Sequence, residues 1–230
     1  MTTLLLATRN AHKVGEIRAI LGAQLRFLTL NDFPGAPGVV EDAATFASNA
    51  AKKAVELAKW AKEEHSTSNR EPRTPHCVLA DDSGLEVDAL AGAPGVHSAR
   101  FAAVDSAKSG NTPDSDNNAK LLRLLQNVPP GRRAARFRCV IALVAVPEGR
   151  IQVASPVCYA DEFEARTFDG VCEGRIIFEP RGENGFGYDP LFVPDGYEHS
   201  FAELGEDVKN RISHRAKALE KLKEFFAKDR

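Results

Sequence analysis

The sequence predicts an α/β protein with a mixed β-sheet, and three observations carry this prediction. An apolar run from Thr3 to Ala7 is followed at once by apolar residues at helical spacing. Apolar residues occupy every second position from Ala135 to Ala145, which is typical of a strand. Apolar positions recur with a helical period over residues 45–63 and 212–226. Strands and helices that follow one another in this way indicate an α/β fold.

The first third of the chain predicts a strand, a helix, a second strand and a long helix. The first strand is Thr3 to Ala7, and apolar residues on one face of residues 14–21 indicate the helix. Alternation over residues 25–29 predicts the second strand, and residues 45–63 form the long helix. The polar run 62–76 then reads as a loop, because it is rich in Ser, Thr, Asn and Pro.

The middle of the chain predicts another buried strand and another helix. The strand is Cys77 to Ala80, and Asp81–Gly84 ends it because Asp, Ser and Gly favour turns. A polar stretch from Asp105 to Asp116 precedes a helix that carries the leucines of residues 121–125.

The last third predicts strands followed by a closing helix. The long strand 135–145 turns back on residues 151–159 as an antiparallel hairpin. Residues 163–168 and 175–178 are two further strands, and residues 212–226 form the final helix.

Composition and charge exclude several classes of protein. The 230 residues are 43% hydrophobic and 27% charged, which is the average of globular proteins and excludes a disordered chain. A formal net charge of -2 gives no overall positive field, so a nucleic-acid partner is not expected. The apolar start is too short for a signal peptide or a membrane span, so we expect a soluble cytoplasmic protein with no membrane partner. The four cysteines have no zinc-site spacing and read as reduced thiols.

A first candidate site lies where the first strand enters its helix, at Ala7–Lys13. Free backbone N–H groups and the positive end of the helix dipole favour a phosphate there, and Lys13 adds a charge. The alternative is structural: Thr8 or Asn10 caps the helix and Lys13 is a solvated surface residue.

A second candidate site is Asp81–Leu85, at the end of the predicted strand. Adjacent carboxylates are costly next to an apolar strand unless a cation accompanies them. Mg²⁺ needs only one or two protein carboxylates when it also binds phosphate oxygens, and Glu41–Asp42 is a second source of them. The alternative is a turn that satisfies its own backbone.

Two further segments carry side chains suited to bind a ligand. In Gly182–Pro190, glycines flank Phe186, whose ring either stacks on a base or, like that of Tyr188, fills the core. In Lys209–Arg215, four cation-capable side chains precede the final helix, where positive charge opposes the helix dipole unless an anion or polar ligand is present. The alternative for this segment is surface decoration, with Ser213 as a cap.

Together these segments resemble the inosine triphosphate pyrophosphatase family. The motifs that carry the resemblance run from residue 4 to about 222, in one order. They are Ala7-Thr8-x-Asn10-x-x-Lys13-x-x-Glu16, Glu41-Asp42-x-x-Thr45-Phe46-x-x-Asn49-Ala50-x-x-Lys53-Ala54, Ala80-Asp81-Asp82-Ser83-Gly84-Leu85, Gly92-x-Pro94-Gly95-x-x-Ser98-Ala99-Arg100, Asn184-Gly-Phe-Gly-Tyr-Asp-Pro-Leu-Phe192 and Ser213-His214-Arg215.

The resemblance implies a fold, a reaction and a set of residue roles. The fold is an elongated, two-lobed single domain over residues 1–230, with a central mixed twisted sheet, flanking helices and a deep cleft. The reaction is Mg²⁺-dependent hydrolysis of nonstandard purine nucleoside triphosphates (ITP, dITP, XTP) to monophosphate and pyrophosphate, by a homodimer. Glu41 and Asp82 would bind the metal, with Asp82 also the catalytic base. The residues implied to bind substrate are Thr8, Asn10, Lys13, Ser83, Phe186, Gly187, Tyr188, Asp189, Lys209, His214 and Arg215, of which Phe186 and Tyr188 would sandwich the base.

Two alternatives stay open at this point. A pyrophosphatase of the related Maf type, acting on pyrimidine or modified nucleotides, would share the fold and the use of metal. A nucleotide-sensing domain would bind triphosphates without turnover, and its mark would be a missing metal carboxylate. Both Glu41 and Asp82 are present here.

Overall fold

A computed structural model describes residues 2–67, 75–104, 110–147 and 163–228 of the chain. The predicted α/β class is confirmed. The helices are α1 (Ala11–Leu21), α2 (Phe46–Thr67), α3 (Asp114–Leu124), α4 (Phe201–Ile212) and α5 (His214–Lys228). The strands are β1 (Thr3–Leu6), β2 (Arg26–Thr29), β3 (Cys77–Val87), β4 (Ala134–Ala145), β5 (Ala165–Ile176) and β6 (Phe192–Pro194). None of the described helices is long and apolar enough to cross a membrane.

The strands form one mixed sheet of six strands in the order β2-β1-β3-β4-β5-β6. Strand β1 pairs in parallel with β2 on one side and with β3 on the other. Strands β5 and β6 pair antiparallel at the other end of this order. A parallel pair needs a crossover connection, and here α1 connects β1 to β2.

The chain divides into two compact units. The first contains Met1–Asp82 and Ile141–Phe168, and the second contains Ser83–Val140 and Asp169–Arg230. In the second unit, a core of buried side chains includes Leu85, Phe137, Phe192 and Phe201. The chain passes from one unit to the other within β3, within β4 and within β5.

Helix α2 shows how the apolar pattern determines burial in the first unit. The apolar positions predicted from its sequence, Phe46, Ala50, Ala54, Leu57 and Ala61, are all buried. They lie three or four residues apart, so they form one face of the helix. Burial of a leucine such as Leu57 stabilises the fold by about 1.5–3 kcal/mol.

The predicted turn at Asp81–Gly84 is wrong, because β3 continues through these residues to Val87. Burying two carboxylates in a strand is unfavourable, and partners from distant parts of the chain offset part of this free energy. Lys13 forms an ion pair with Asp81, and Asn49 hydrogen-bonds to Asp82. The turn preference of Asp and Ser is local, and these tertiary contacts override it.

Three further parts of the fold differ from the prediction. Helix α2 extends to Thr67, so the predicted loop 62–76 is wrong at its start, while residues 68–74 lie outside the described residues. Residues 163–168 and 175–178 were predicted as two strands but contribute to the single strand β5. The helix predicted at 212–226 is α5, and the preceding helix α4 was missed. The hairpin partner 151–159 and residues 105–109 also lie outside the described residues.

Gly170 lets α5 approach β5 at backbone contact distance. A Cβ atom at this position would lie 2.0 Å from the carbonyl oxygen of His214 and 2.6 Å from the amide nitrogen of Ala218. No side chain fits in that space, so only glycine allows this packing. In the sequence, glycine in a strand reads as an interruption, which explains why β5 was predicted as two pieces.

Candidate functional site

The helix-capping role predicted as the alternative at the first candidate site is confirmed for Asn10. Its side-chain Oδ1 accepts hydrogen bonds from the N–H groups of His12 (2.9 Å) and Lys13 (3.2 Å). The Oγ of Thr8 accepts a hydrogen bond of 3.1 Å from the N–H of Asn10. These contacts fix the junction between β1 and α1 and direct Lys13 from the first turn of the helix.

Two lysines form ion pairs with carboxylates in the first unit. Lys13 forms an ion pair with Asp81, and Lys53 of α2 forms one with Glu41. Lys53 also donates a hydrogen bond of 2.9 Å to the backbone carbonyl of Asp81. The Lys13 side chain is only 19% exposed, so the alternative of a solvated surface lysine is wrong. We call Lys13, Glu41, Lys53, Asp81 and Asp82 the carboxylate–lysine cluster.

Asp82 is the most unusual member of this cluster. It is buried, and its Oδ2 has no hydrogen-bond partner among the described residues. Burial, followed by the negative charge of Glu41, raises the pKa of the Asp82 carboxyl to about 6, although Asn49, Lys13 and Lys53 each act to lower it. A buried carboxylate with an unsatisfied oxygen is costly, so Asp82 is suited to take up a proton or a cation.

Asn49 and Lys53 are functional candidates to which the sequence analysis assigned no role. Asn49 contacts Asp82, and its own Oδ1 accepts a hydrogen bond of 2.9 Å from the N–H of Ala43. The two residues are four positions apart, so they share one helix face. A polar pair at this spacing beside the apolar face of α2 was the signal available in the sequence.

The second group of predicted site residues lies in the second unit, around Asp189. Its Oδ2 accepts hydrogen bonds from the Lys209 ammonium group (2.6 Å) and from the N–H of Phe186 (2.9 Å). The Lys209 Nζ also lies 4.2 Å from the centre of the Phe186 ring, which is a cation–π distance. Asp189 therefore binds both the Lys209 ammonium group and the backbone of Phe186.

Arg215 and His214 begin α5 and are both buried. Arg215 donates a hydrogen bond of 2.8 Å to the Oγ of Ser83, and its guanidinium carbon lies 6.0 Å from the centre of the Phe186 ring. The His214 ring stacks on the Phe137 ring, with 4.8 Å between the ring centres. The alternative of surface decoration is therefore wrong for Lys209, His214 and Arg215. The predicted cap is confirmed, since the Ser213 Oγ accepts a hydrogen bond of 3.1 Å from the N–H of Ala216.

Tyr188 fills the core, which was one of the two roles that the sequence left open for it. Its ring belongs to the buried core of the second unit, and its hydroxyl donates a hydrogen bond of 2.9 Å to the carbonyl of Ser98. Burial raises the pKa of this phenol, and the charge of Asp114 adds to the effect. Phe186, which is half-buried beside two cationic groups, is the ring better placed to stack on a base.

The described residues contain no group of three or more His, Cys, Asp or Glu side chains that would hold a metal ion alone. Asp82 and Glu41 nevertheless offer oxygen ligands of the type that Mg²⁺ prefers. Asp42, the other carboxylate considered for this role, is exposed and pairs with Lys52 at 2.7 Å. The first unit thus brings Asp82 and Glu41 together with two lysines, and Glu41 is ion-paired with Lys53.

Comparison with known proteins places this chain in a family. The model of the Ham1 family matches residues 4–225. A dITP/XTP pyrophosphatase of Desulforamulus reducens is 48% identical over 226 residues, which are 97% of this chain and 94% of that protein. A dITP/XTP pyrophosphatase of Geobacillus kaustophilus is 44% identical and covers 97% of this chain and 94% of its own.

Solved structures agree with this assignment. The Ham1 protein of Staphylococcus aureus has a TM-score of 0.75 at 30% identity and covers 100% of both chains. A HAM1 protein of Coxiella burnetii has a TM-score of 0.74 at 35% identity and covers 99% of this chain and 100% of its own. A family match over nearly the whole length, with relatives of this identity, leads to one conclusion: this chain belongs to the Ham1 family.

Proposed function

We propose that this protein hydrolyses nonstandard purine nucleoside triphosphates (ITP, dITP and XTP) to the monophosphate and pyrophosphate. The observation that carries the proposal is the buried Asp82 carboxylate, whose Oδ2 lacks a partner among the described residues although Glu41 and two lysines are near. The two relatives named dITP/XTP pyrophosphatase support the choice of substrate. The chemistry of each group of side chains supports it further.

The triphosphate binds to the lysines of the carboxylate–lysine cluster. Lys13 and Lys53 form ion pairs with Asp81 and Glu41, respectively. A triphosphate carries more negative charge than these carboxylates, so it competes for the ammonium groups. Thr8 and Asn10 hold the start of α1, whose positive dipole end adds to the attraction.

The residues of the cluster fit a magnesium ion. The unsatisfied Oδ2 of Asp82 and the carboxylate of Glu41 are oxygen ligands close enough for Glu41 to raise the pKa of Asp82. Mg²⁺ keeps several waters and takes phosphate oxygens, so two carboxylates suffice. When bound, Mg²⁺ supplies positive charge that offsets the charge developing on the leaving pyrophosphate.

Asp82 acts as the base that removes a proton from the attacking water. Without a metal ion the pKa of Asp82 is about 6, so the carboxylate is mostly ionised at neutral pH, and the charge of a bound Mg²⁺ would favour the ionised form further. The water attacks the α-phosphorus, the bond from this phosphorus to the bridging oxygen breaks, and pyrophosphate leaves as a unit. Lys13 stabilises the negative charge on that leaving group.

Cationic donors select the base. Hypoxanthine and xanthine both carry a carbonyl acceptor on carbon 6, where adenine carries an amino donor. Arg215 and Lys209 donate hydrogen bonds to this carbonyl, while Phe186 stacks on the ring and His214 supports Arg215 at the start of α5. The family resemblance implies that Asp189 binds substrate. Its Oδ2 contacts to Lys209 and Phe186 instead support a positioning role.

A panel of nucleoside triphosphates, assayed for pyrophosphate release with Mg²⁺, tests the proposal. We expect ITP, dITP and XTP to be cleaved with kcat/KM values at least about a hundredfold above that of ATP. Preference for a pyrimidine triphosphate would favour a Maf-type activity. Tight binding without pyrophosphate release would favour a nucleotide sensor.

The proposal has three further parts, of which the single domain and the homodimer rest on the family resemblance. Residues 1–230 act as one pyrophosphatase domain, the protein is a homodimer, and it works in the cytoplasm. Sedimentation of the purified protein tests the homodimer directly.

A further inference from the structure

The loop that carries Phe186 has little regular backbone structure of its own. Gly185 and Gly187 flank Phe186, and both have positive φ angles, 80° and 64°. Within the loop, the N–H of Asp189 donates to the carbonyl of Phe186 at 3.2 Å, and the Oδ2 of Asp189 accepts from the N–H of Phe186. Glycine has more backbone freedom than other residues. The position of the Phe186 ring therefore depends in part on contacts that fix the backbone of Gly187.

Two side chains of α3 bind the two polar backbone groups of Gly187. The Oδ2 of Asp114 accepts a hydrogen bond of 2.6 Å from the N–H of Gly187. The Nδ2 of Asn118 donates a hydrogen bond of 3.0 Å to the carbonyl of Gly187. The two residues are four positions apart, so they lie on one face of the helix. Both polar backbone groups of Gly187 are thus bound by α3.

Asn118 contrasts with its neighbour Asn117, which serves the fold. The Oδ1 of Asn117 accepts from the N–H of Ala102 (2.8 Å) and from the hydroxyl of Thr112 (2.7 Å). Asn118 is also buried, but its Oδ1 has no hydrogen-bond partner in the described part of the chain. A buried unsatisfied amide oxygen destabilises a fold, so the Gly187 contact is what Asn118 contributes.

We propose that Asp114 and Asn118 are positioning residues that hold Gly187 and thereby orient Phe186 for stacking on the base. This inference rests on the proposed function, in which Phe186 contacts the base. The pair acts on the loop and not on the phosphates, because none of its contacts described above involves the carboxylate–lysine cluster. Loss of either contact therefore affects binding of the base and leaves the bond-breaking step unchanged.

The polarity of the two contacts gives a sharp set of variants. Gly187 N–H needs an acceptor, so Asp114→Asn keeps the contact through its amide oxygen, whereas Asp114→Ala removes it. Gly187 C=O needs a donor, so both Asn118→Ala and Asn118→Asp remove it, and the aspartate adds repulsion between two acceptors. Asp116→Ala is the matched control, because Asp116 lies in the same first turn and has the same favourable interaction with the helix dipole.

Hydrogen exchange measures the effect on the loop without substrate. In Asp114→Ala, Asn118→Ala and Asn118→Asp, we expect amide exchange of residues 182–192 to be about tenfold faster, while exchange of β3 and β4 stays unchanged. Asp114→Asn and Asp116→Ala are expected to match the wild type. Unchanged exchange in both alanine variants of the pair, or equal acceleration in Asp116→Ala, would overturn the proposal.

Kinetics with ITP measure the effect on function. The three contact-removing variants should raise KM about tenfold and leave kcat within about twofold. Asp114→Asn should restore a KM near that of the wild type. A loss of kcat with unchanged KM would contradict the proposal. Absence of pyrophosphate release from ITP by the wild type would instead refute the proposed function, and the exchange experiment would still decide whether the pair holds the loop.

Discussion

Lys209 and Asp189 form an ion pair of 2.6 Å in which both side chains are almost fully buried. Removing one partner of such a pair leaves an uncompensated charge, which costs about 3–5 kcal/mol. We therefore expect Asp189→Leu and Lys209→Met each to lower the free energy of unfolding by about this amount, and the double variant to lose less than the sum.

Urea unfolding of the four proteins in this cycle measures the coupling. Lys221→Met is the control. The ion pair of Lys221 with Asp169 is 2.7 Å long, close to the length of the buried pair, but the two side chains are 51% and 65% exposed. We expect a loss below about 1 kcal/mol for the control. Additive losses in the double variant would show that the pair does not act as a unit.

Asp82→Asn keeps the shape of the side chain and removes its charge and basicity. With ITP and Mg²⁺, we expect kcat to fall at least about a hundredfold, because the variant lacks the base and a metal ligand. Asp42→Asn, which changes the exposed carboxylate one residue after Glu41, should keep nearly wild-type turnover. Near-normal activity of Asp82→Asn would exclude Asp82 from catalysis.

The same variant has a stability effect that depends on pH. The pKa of Asp82 is about 6 in the folded protein against an ordinary value of 3.8. The folded chain therefore binds this proton more tightly than the unfolded chain, and the free energy of unfolding falls as the pH rises from about 4 to 6. Above about pH 6, Asp82→Asn should be more stable than the wild type by on the order of 2–3 kcal/mol.

Unfolding in metal-free buffer at pH 4, 6 and 8 tests this expectation, and the difference should disappear toward pH 4. Addition of Mg²⁺ at pH 8 should stabilise the wild type more than the variant, since only the wild type has the full set of carboxylates. A variant less stable than the wild type at pH 8 would contradict the expectation that the buried Asp82 charge destabilises the fold.

Lys13→Ala should weaken all triphosphates by a similar factor. Loss of a charge-assisted contact to phosphate costs about 1–3 kcal/mol and does not depend on the base. The ratio of kcat/KM for ITP and ATP should therefore stay constant. Lys52→Ala, which removes an exposed lysine of α2, is the control. Rates are compared below the unfolding temperature, because Asp81 also loses its ammonium partner. A changed base preference would assign Lys13 elsewhere.

Arg215→Ala should act on the base and spare ATP. We expect kcat/KM for ITP to fall on the order of a hundredfold or more, while the low activity on ATP stays the same, because adenine has an amino donor on carbon 6 in place of the carbonyl that this guanidinium binds. Lys217→Ala on the same helix is the control; Lys217 is bonded only to the carbonyl of Val171 among the contacts described for it. Equal losses on both substrates would make Arg215 a phosphate-binding or structural residue.

The sequence predicted the parts of the fold that depend on local pattern. The buried face of α2 and the strand over residues 135–145 followed from periodicity alone. The continuation of β3 through Asp81 and Asp82 did not, because it depends on an ion pair with Lys13, which is 68 residues away in the chain. Local preference for a turn was the only signal that the sequence offered at that point.

The candidate site followed the same division. Residue type and position pointed to Lys13, Asp82 and Arg215, whose chemistry is evident without a structure. The contacts of Gly187 with Asp114 and Asn118 span 73 and 69 residues, and no spacing rule connects them. Tyr188 and Phe186 are alike in sequence, and only packing separates the core residue from the half-buried one.

The contact of α5 with Gly170 links the backbone of β5 to the residue before Arg215. His214 contributes the carbonyl that a Cβ at position 170 would meet, and Arg215 is the next residue. A side chain at position 170 would therefore displace the backbone next to Arg215 or prevent α5 from packing on β5. Position 170 and the first turn of α5 therefore vary only together, and a chain with any other residue at position 170 must pack its last helix differently.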